Sequence, residues 1–156
     1  MTARKPETTF CSSVNKKLPV GLHYEKMNNP YRGGTADYWY SGNKNDLWIE
    51  YKWLAKPPTK PLSLVSGNNP MLSRLQQQWL HDRYQEGRNV AVIVGCQNGS
   101  VLLRHMAWIH LIIPSAFALT RGELATWIIE ETTNDSTTLF SSSSKNDKPN
   151  ISLANN

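Results

Sequence analysis

The sequence predicts an α/β domain in which helices flank a mixed β-sheet. Three stretches carry that expectation. Residues 33–53 are rich in Tyr, Trp, Leu and Ile and are divided by Ser41-Gly42-Asn43-Lys44-Asn45, which reads as two strands and a turn. Leu72, Leu75, Trp79, Leu80 and Tyr84 recur at helical spacing and form one apolar stripe. Residues 89–96, Asn-Val-Ala-Val-Ile-Val-Gly-Cys, are a continuous β-branched run, as expected of a strand covered on both faces.

In chain order, residues 1–6 are a loose start. Residues 7–17 form a short helix with Phe10, Cys11 and Val14 as its apolar or small positions, ended by Pro19-Val20-Gly21. Residues 22–27 read as a strand. The loop that follows ends in Gly33-Gly34, which permits a sharp turn or a close backbone approach just before Asp37.

The hairpin organises the chain. Pairing Ser41 with Asp46 places Asp37 directly opposite Glu50, with Lys52 on the same face. Opposed side chains have Cβ atoms roughly 5 Å apart, where like charges repel. A divalent cation bound by oxygen ligands would explain two carboxylates so placed. A solvated strand pair with incidental charges is the alternative. The opposite face carries Tyr38, Tyr40, Leu47, Ile49, Tyr51 and Trp53, a core face.

Residues 55–69 hold Lys56, Lys60 and three prolines, and read as a substrate-contacting flap or a mobile connection. A helix then runs from near Pro70 to Gly87, capped by Asn69 or Ser73. Ser73 with Gln76 makes a capping box, and Gly87 suits the position after the helix. Gln76 lies at the margin of the apolar stripe, either as a structural amide or as a group aimed at an active site. Residues 101–103 and 107–112 are expected as further strands. Thr120 with Glu123 opens a last helix that closes near Thr133. The expected division is one domain over 1–133 and a disordered Ser/Asn-rich tail over 134–156.

Of the net charge of +5, residues 123–156 carry −3, so the rest carries +8. A basic body suggests a polyanionic partner, with ordinary solubility charge as the alternative. Arg32, Lys56, Lys60 and Arg74 are the candidates to meet phosphate. The two cysteines, Cys11 and Cys96, form no disulfide framework, which favours a reduced, intracellular setting. The N-terminus lacks the apolar core of a signal peptide. The apolar run 101–119 is interrupted by Arg104, His105, His110 and Pro114, which argues against a membrane span. A cytoplasmic protein with no membrane partner is expected.

Gly34-Thr35-Ala36-Asp37, Trp48-Ile49-Glu50-Tyr51-Lys52, the Leu72-Ser73-Arg74-Leu75-Gln76 helix start and the turn and strand over 87–93 follow one another in order. Together they resemble the PD-(D/E)XK nuclease superfamily and, within it, the VRR-NUC family, over about residues 22–96. The resemblance implies a restriction-endonuclease-like fold and a metal-dependent DNA endonuclease. Asp37, Glu50 and the Tyr51 carbonyl would bind Mg²⁺ or Mn²⁺. Lys52 would orient the water or neutralise the phosphate, and Gln76 would position the water or a phosphate oxygen. It further implies a phage-type enzyme of the host cytoplasm, acting as a homodimer on branched DNA such as a Holliday junction or flap. Two departures stand out. Ala36 replaces the usual proline, and the glutamate often supplied by the first helix has only Glu7 or Glu25 as candidates. The alternative is a non-catalytic DNA-binding or inhibitor module that keeps the fold.

Overall fold

The protein was examined as a computed structural model, which describes residues 2–28 and 33–134. The elements are α1 (Pro6–Asn15), β1 (His23–Lys26), β2 (Tyr38–Ser41), β3 (Asp46–Trp53), α2 (Arg74–Gln85), β4 (Val90–Cys96), β5 (Gly99–Arg104) and α3 (Arg121–Thr132). The five strands lie in chain order across a single sheet. Neighbours run antiparallel except β3 and β4, which are parallel. That pair needs a crossover, and the connection over 54–89 supplies it with α2.

Local chemistry sets the helix ends. Pro6 occupies the first turn of α1, where its missing N–H costs nothing, and Glu7 beside it complements the positive helix terminus. Both expected capping boxes form: Ser73 with Gln76 opens α2, and Thr120 with Glu123 opens α3. The β2–β3 register pairs Ser41 with Asp46 and Tyr38 with Ile49, as the sequence predicts.

The sheet is covered on both sides. On one, α1 and α3 bury Phe10, Val14, Leu124 and Ile128 against Tyr40, Leu47, Ile49 and Tyr51. On the other, Leu64, Leu72, Leu80 and Trp108 pack on Val90, Val92 and Val94. All seven residues of β4 are buried, which accounts for its unbroken apolar run. The result is a three-layer α/β/α domain. No described helix is long and apolar enough to cross a membrane.

Four expectations need correction. The α2 helix starts at Arg74, not near Pro70. Leu72 precedes the cap and donates its N–H to the Leu64 carbonyl. Leu75 and Tyr84 are exposed and not part of the buried stripe. Residues 107–112 are not a strand. Ala107–Ile109 is a 3₁₀ turn, and Ile112 makes a single bridge to Leu62. That bridge, with the fully buried Leu64, pins the 55–69 connection to the body and weighs against its reading as a mobile connection. Of the expected tail over 134–156, Asn134 bonds to Asn43 and residues 135–156 lie outside the described residues.

Candidate active site

Strand alternation on β3 sends Tyr51 into the α1/α3 core and Glu50 and Lys52 to the α2 side. The Tyr51 hydroxyl lies 2.7 Å from that of Tyr40, which donates to Asn15 Oδ1 at 2.7 Å. This buried chain fixes β3 against α1 at the residue between Glu50 and Lys52.

Asp37 sits one residue before β2, outside the ladder. Its Oδ2 accepts the Tyr51 N–H at 2.8 Å, while its carbonyl accepts from the Met27 N–H. The expected side-by-side pairing with Glu50 is thus replaced by a carboxylate capping the β3 backbone. Burial raises the Asp37 pKa, opposed by that hydrogen bond and by Lys52 and Lys26.

Glu50 is 1% exposed. Its Oε1 accepts from Gln76 Nε2 at 2.8 Å and faces Lys52 Nζ at 3.4 Å. Its Oε2 is buried with no hydrogen-bond partner. Burial first, and the Asp37 charge second, push its pKa up to about 8, against the pull of Lys52.

Gln76 belongs to both the helix cap and the site. Its Oε1 accepts the Ser73 N–H at 2.9 Å, so its amide nitrogen is the end turned to Glu50. Gly34 makes this possible. It adopts φ +94°, and a Cβ there would lie 2.4 Å from the Leu75 carbonyl oxygen. The loop before Asp37 therefore rests directly on the first turn of α2.

The structure thus gathers Asp37, Glu50, Lys52, Gln76 and the Tyr51 backbone. Of the two further glutamates, Glu7 senses the charges of Asp37 and Lys52, and burial raises its pKa. Glu25 is exposed on β1 and pairs with His23 at 3.2 Å. Arg74 is not brought to the carboxylates. It lines a separate groove with Val65, Met106 and Ile109. Lys56 and Lys60 are exposed on the pinned connection, and Arg32 lies outside the described residues. Sequence reasoning missed Lys26, whose charge reaches Asp37 and Glu7. Its position on β1 opposite Tyr38, one residue from Asp37, was the available signal.

Among the described residues no group of three or more His, Cys, Asp or Glu stands ready to hold a metal ion. The donor set nevertheless fits a divalent cation. A buried carboxylate oxygen without a partner lies within the field of a second carboxylate, and all the donors are oxygen.

The mixed five-stranded sheet between helices, with one parallel pair, is an α/β fold shared with solved structures. One solved structure that shares it is Hjc, a Holliday junction resolvase from the archaeal hyperthermophile Archaeoglobus fulgidus. It has a TM-score of 0.50 and 15% sequence identity, over 76% of this chain and 96% of that one. By sequence, no protein-family profile and no curated protein matches. The structural likeness establishes the fold.

Proposed function

We propose that the protein is a divalent-metal-dependent endodeoxyribonuclease acting on branched DNA. The observation that carries this reading is Glu50: a buried carboxylate with one unpartnered oxygen, beside Asp37, flanked by the Lys52 ammonium and the Gln76 amide. A stability role alone gives no use for that oxygen, because an unsatisfied buried acceptor costs free energy.

Asp37, Glu50 and the Tyr51 carbonyl would hold Mg²⁺ or Mn²⁺. When bound, the ion lowers the pKa of a water and stabilises charge on the phosphate. The chain's own residues do the rest. Glu50 would hold the ion as the carboxylate, its proton released to solvent. Lys52 places a cation beside the scissile phosphate. Gln76, its carbonyl held by the helix cap, offers amide hydrogens to Glu50 or to a phosphate oxygen. Lys26 and the basic body attract the DNA backbone, with Arg32, Lys56, Lys60 and Arg74 as outlying contacts.

Branched DNA is favoured because a solved protein sharing the fold, Hjc, is a Holliday junction resolvase. A two-fold junction cut on both strands requires two sites, and a homodimer supplies them. Membership of the VRR-NUC family rests on the sequence motifs, and a phage origin on the small size of the chain.

The test is cleavage of labelled linear duplex, single strand, flap and four-way junction with Mg²⁺, Mn²⁺ or EDTA, beside the Glu50→Ala protein. Metal-dependent products that vanish in the variant support the reading. Tight, salt-sensitive binding without any product would instead assign a non-catalytic DNA-binding module.

A further inference from the structure

The α2-facing side of β3 continues past Glu50. Two residues before it, about 6.6 Å along the strand, Trp48 occupies the same face. Trp48 stacks on Trp39 of β2, with ring centroids 5.9 Å apart and planes at 24°. Trp79 of α2 meets it edge-on at 5.5 Å. Trp48 packs against the α2-side core, whereas Trp39 has His23 of the exposed strand β1 on its other side, at 5.3 Å. Both tryptophans are half-buried, and Trp48 is the one that reaches the cavity.

Beyond Trp48 the face opens into a cavity of about 620 Å³ between the β2–β3 turn and the α2–β4 turn. Trp48, Lys44 and Arg88 line it, with Asn45 and Asn89. The turn that presents Lys44 is held rigid. The Lys44 and Asn45 N–H groups both donate to the Thr132 carbonyl at the end of α3, and Gly42 packs against the same oxygen. Lys44 Nζ uses one donor on the Glu130 carbonyl at 3.2 Å and keeps two. Arg88 is exposed and makes no ion pair among the described residues. Asp46 also lines the cavity and accepts from Ser41 Oγ at 2.7 Å. Glu131 nearby is engaged by Arg104 at 2.7 Å. The cations outnumber the lone lining carboxylate.

We propose that this cavity receives an unpaired nucleotide of the strand being cut, its base against Trp48, which Trp39 backs from the β1 side, and its phosphate on Lys44 and Arg88. An aromatic platform beside paired cations is the recurring means of holding single-stranded nucleic acid without reading its sequence. The step from Trp48 to Glu50 matches about one nucleotide of an extended strand. The inference rests on the nuclease reading and sharpens it. The preferred substrate carries unpaired nucleotides next to the scissile bond, so flaps and gapped branches are favoured over continuous duplex.

The test separates binding from cleavage. Affinities for a duplex with a short oligo-thymidine flap and for the matching blunt duplex are measured in EDTA, for the full chain, Trp48→Leu and the Lys44→Ala/Arg88→Ala double variant. Both variants are expected to lose flap affinity about tenfold, with duplex affinity changed by about twofold or less. Unchanged flap affinity, or equal loss on both DNAs, overturns the proposal. Should Trp48→Leu fail to fold by circular dichroism, the double variant, which alters only exposed side chains, decides alone. Flap-selective binding through these residues by a protein that cuts nothing would defeat the nuclease reading only. Cleavage unaffected by either variant, with unchanged flap affinity, would defeat this inference only.

Discussion

Glu50 carries opposed demands. It must be buried to hold a ligand in a low-dielectric site, and burial makes its charge costly without one. Between its ordinary value of 4.5 and about 8, the folded protein keeps a proton on Glu50 that the unfolded chain releases. The folded state then binds more protons, so this group's contribution to stability falls as pH rises through that window. Metal-free protein should therefore melt lower at pH 8 than at pH 5 on this account. Glu50→Gln should flatten the slope and melt higher than wild type at pH 8, read by thermal denaturation in EDTA. Asp37→Ala, Glu50→Ala and Lys52→Ala should each lower the cleavage rate by on the order of a hundredfold or more, with circular dichroism unchanged. Equal activity in all three would remove the nuclease assignment. At this scale the sequence was informative about identity and poor about environment. Alternation and the hairpin register gave the face shared by Glu50 and Lys52. The unpartnered Oε2 was invisible, because it depends on α2 closing over β3 from a distant part of the chain. Asp37 was expected in the ladder opposite Glu50; it stands one residue before β2, and its carboxylate caps the Tyr51 N–H.

The helix α2 ties a structural device to the site. Ser73→Ala removes one half of the capping box and should cost about 1 kcal/mol. The backbone N–H of residue 73 still anchors Gln76, so the cleavage rate should change little. Gln76→Ala loses both the other half of the box and the amide on Glu50, and should lower stability and rate together. Denaturant melts and single-turnover rates on the two variants distinguish cap from site. Gly34→Ala should be the more damaging change, destabilising by about 1–3 kcal/mol, because φ +94° and the Leu75 carbonyl both oppose a Cβ. Its loss of activity should accompany displacement of the first turn of α2, seen as altered hydrogen-exchange protection there. The capping box was legible because its four residues are local. The buried stripe was misread because its phase was taken partly from Leu72, which lies before the helix, so that Leu75, 62% exposed, was counted as core.

At the level of the molecule, the fold class followed from patterns the chain displays locally: the alternation on β3, the unbroken β4 run and the two capping boxes. The order of strands, the parallel β3–β4 pair and the docking of the 55–69 connection through Leu62 and Leu64 were not legible, since each depends on contacts between distant segments. The same limit explains residues 107–112. Their apolar run resembles a strand, but Ile112 finds one bridging partner where a strand needs a row of them.

The parallel pair has a consequence for the order of events as the chain folds. The β2–β3 hairpin closes a short loop and is favoured to form early, while β3 meets β4 only after the long crossover carrying α2 has swung back. Until then Glu50 faces water and is ionised at neutral pH; once α2 docks, burial favours its protonated form. Folding at pH 7 without metal should accordingly consume a proton in its late step. Refolding in weak buffer with an indicator dye should show that uptake in step with the fluorescence change of Trp48 and Trp79, and Glu50→Gln should abolish it. Refolding with no uptake would mean that the charge stays on Glu50 inside the finished protein.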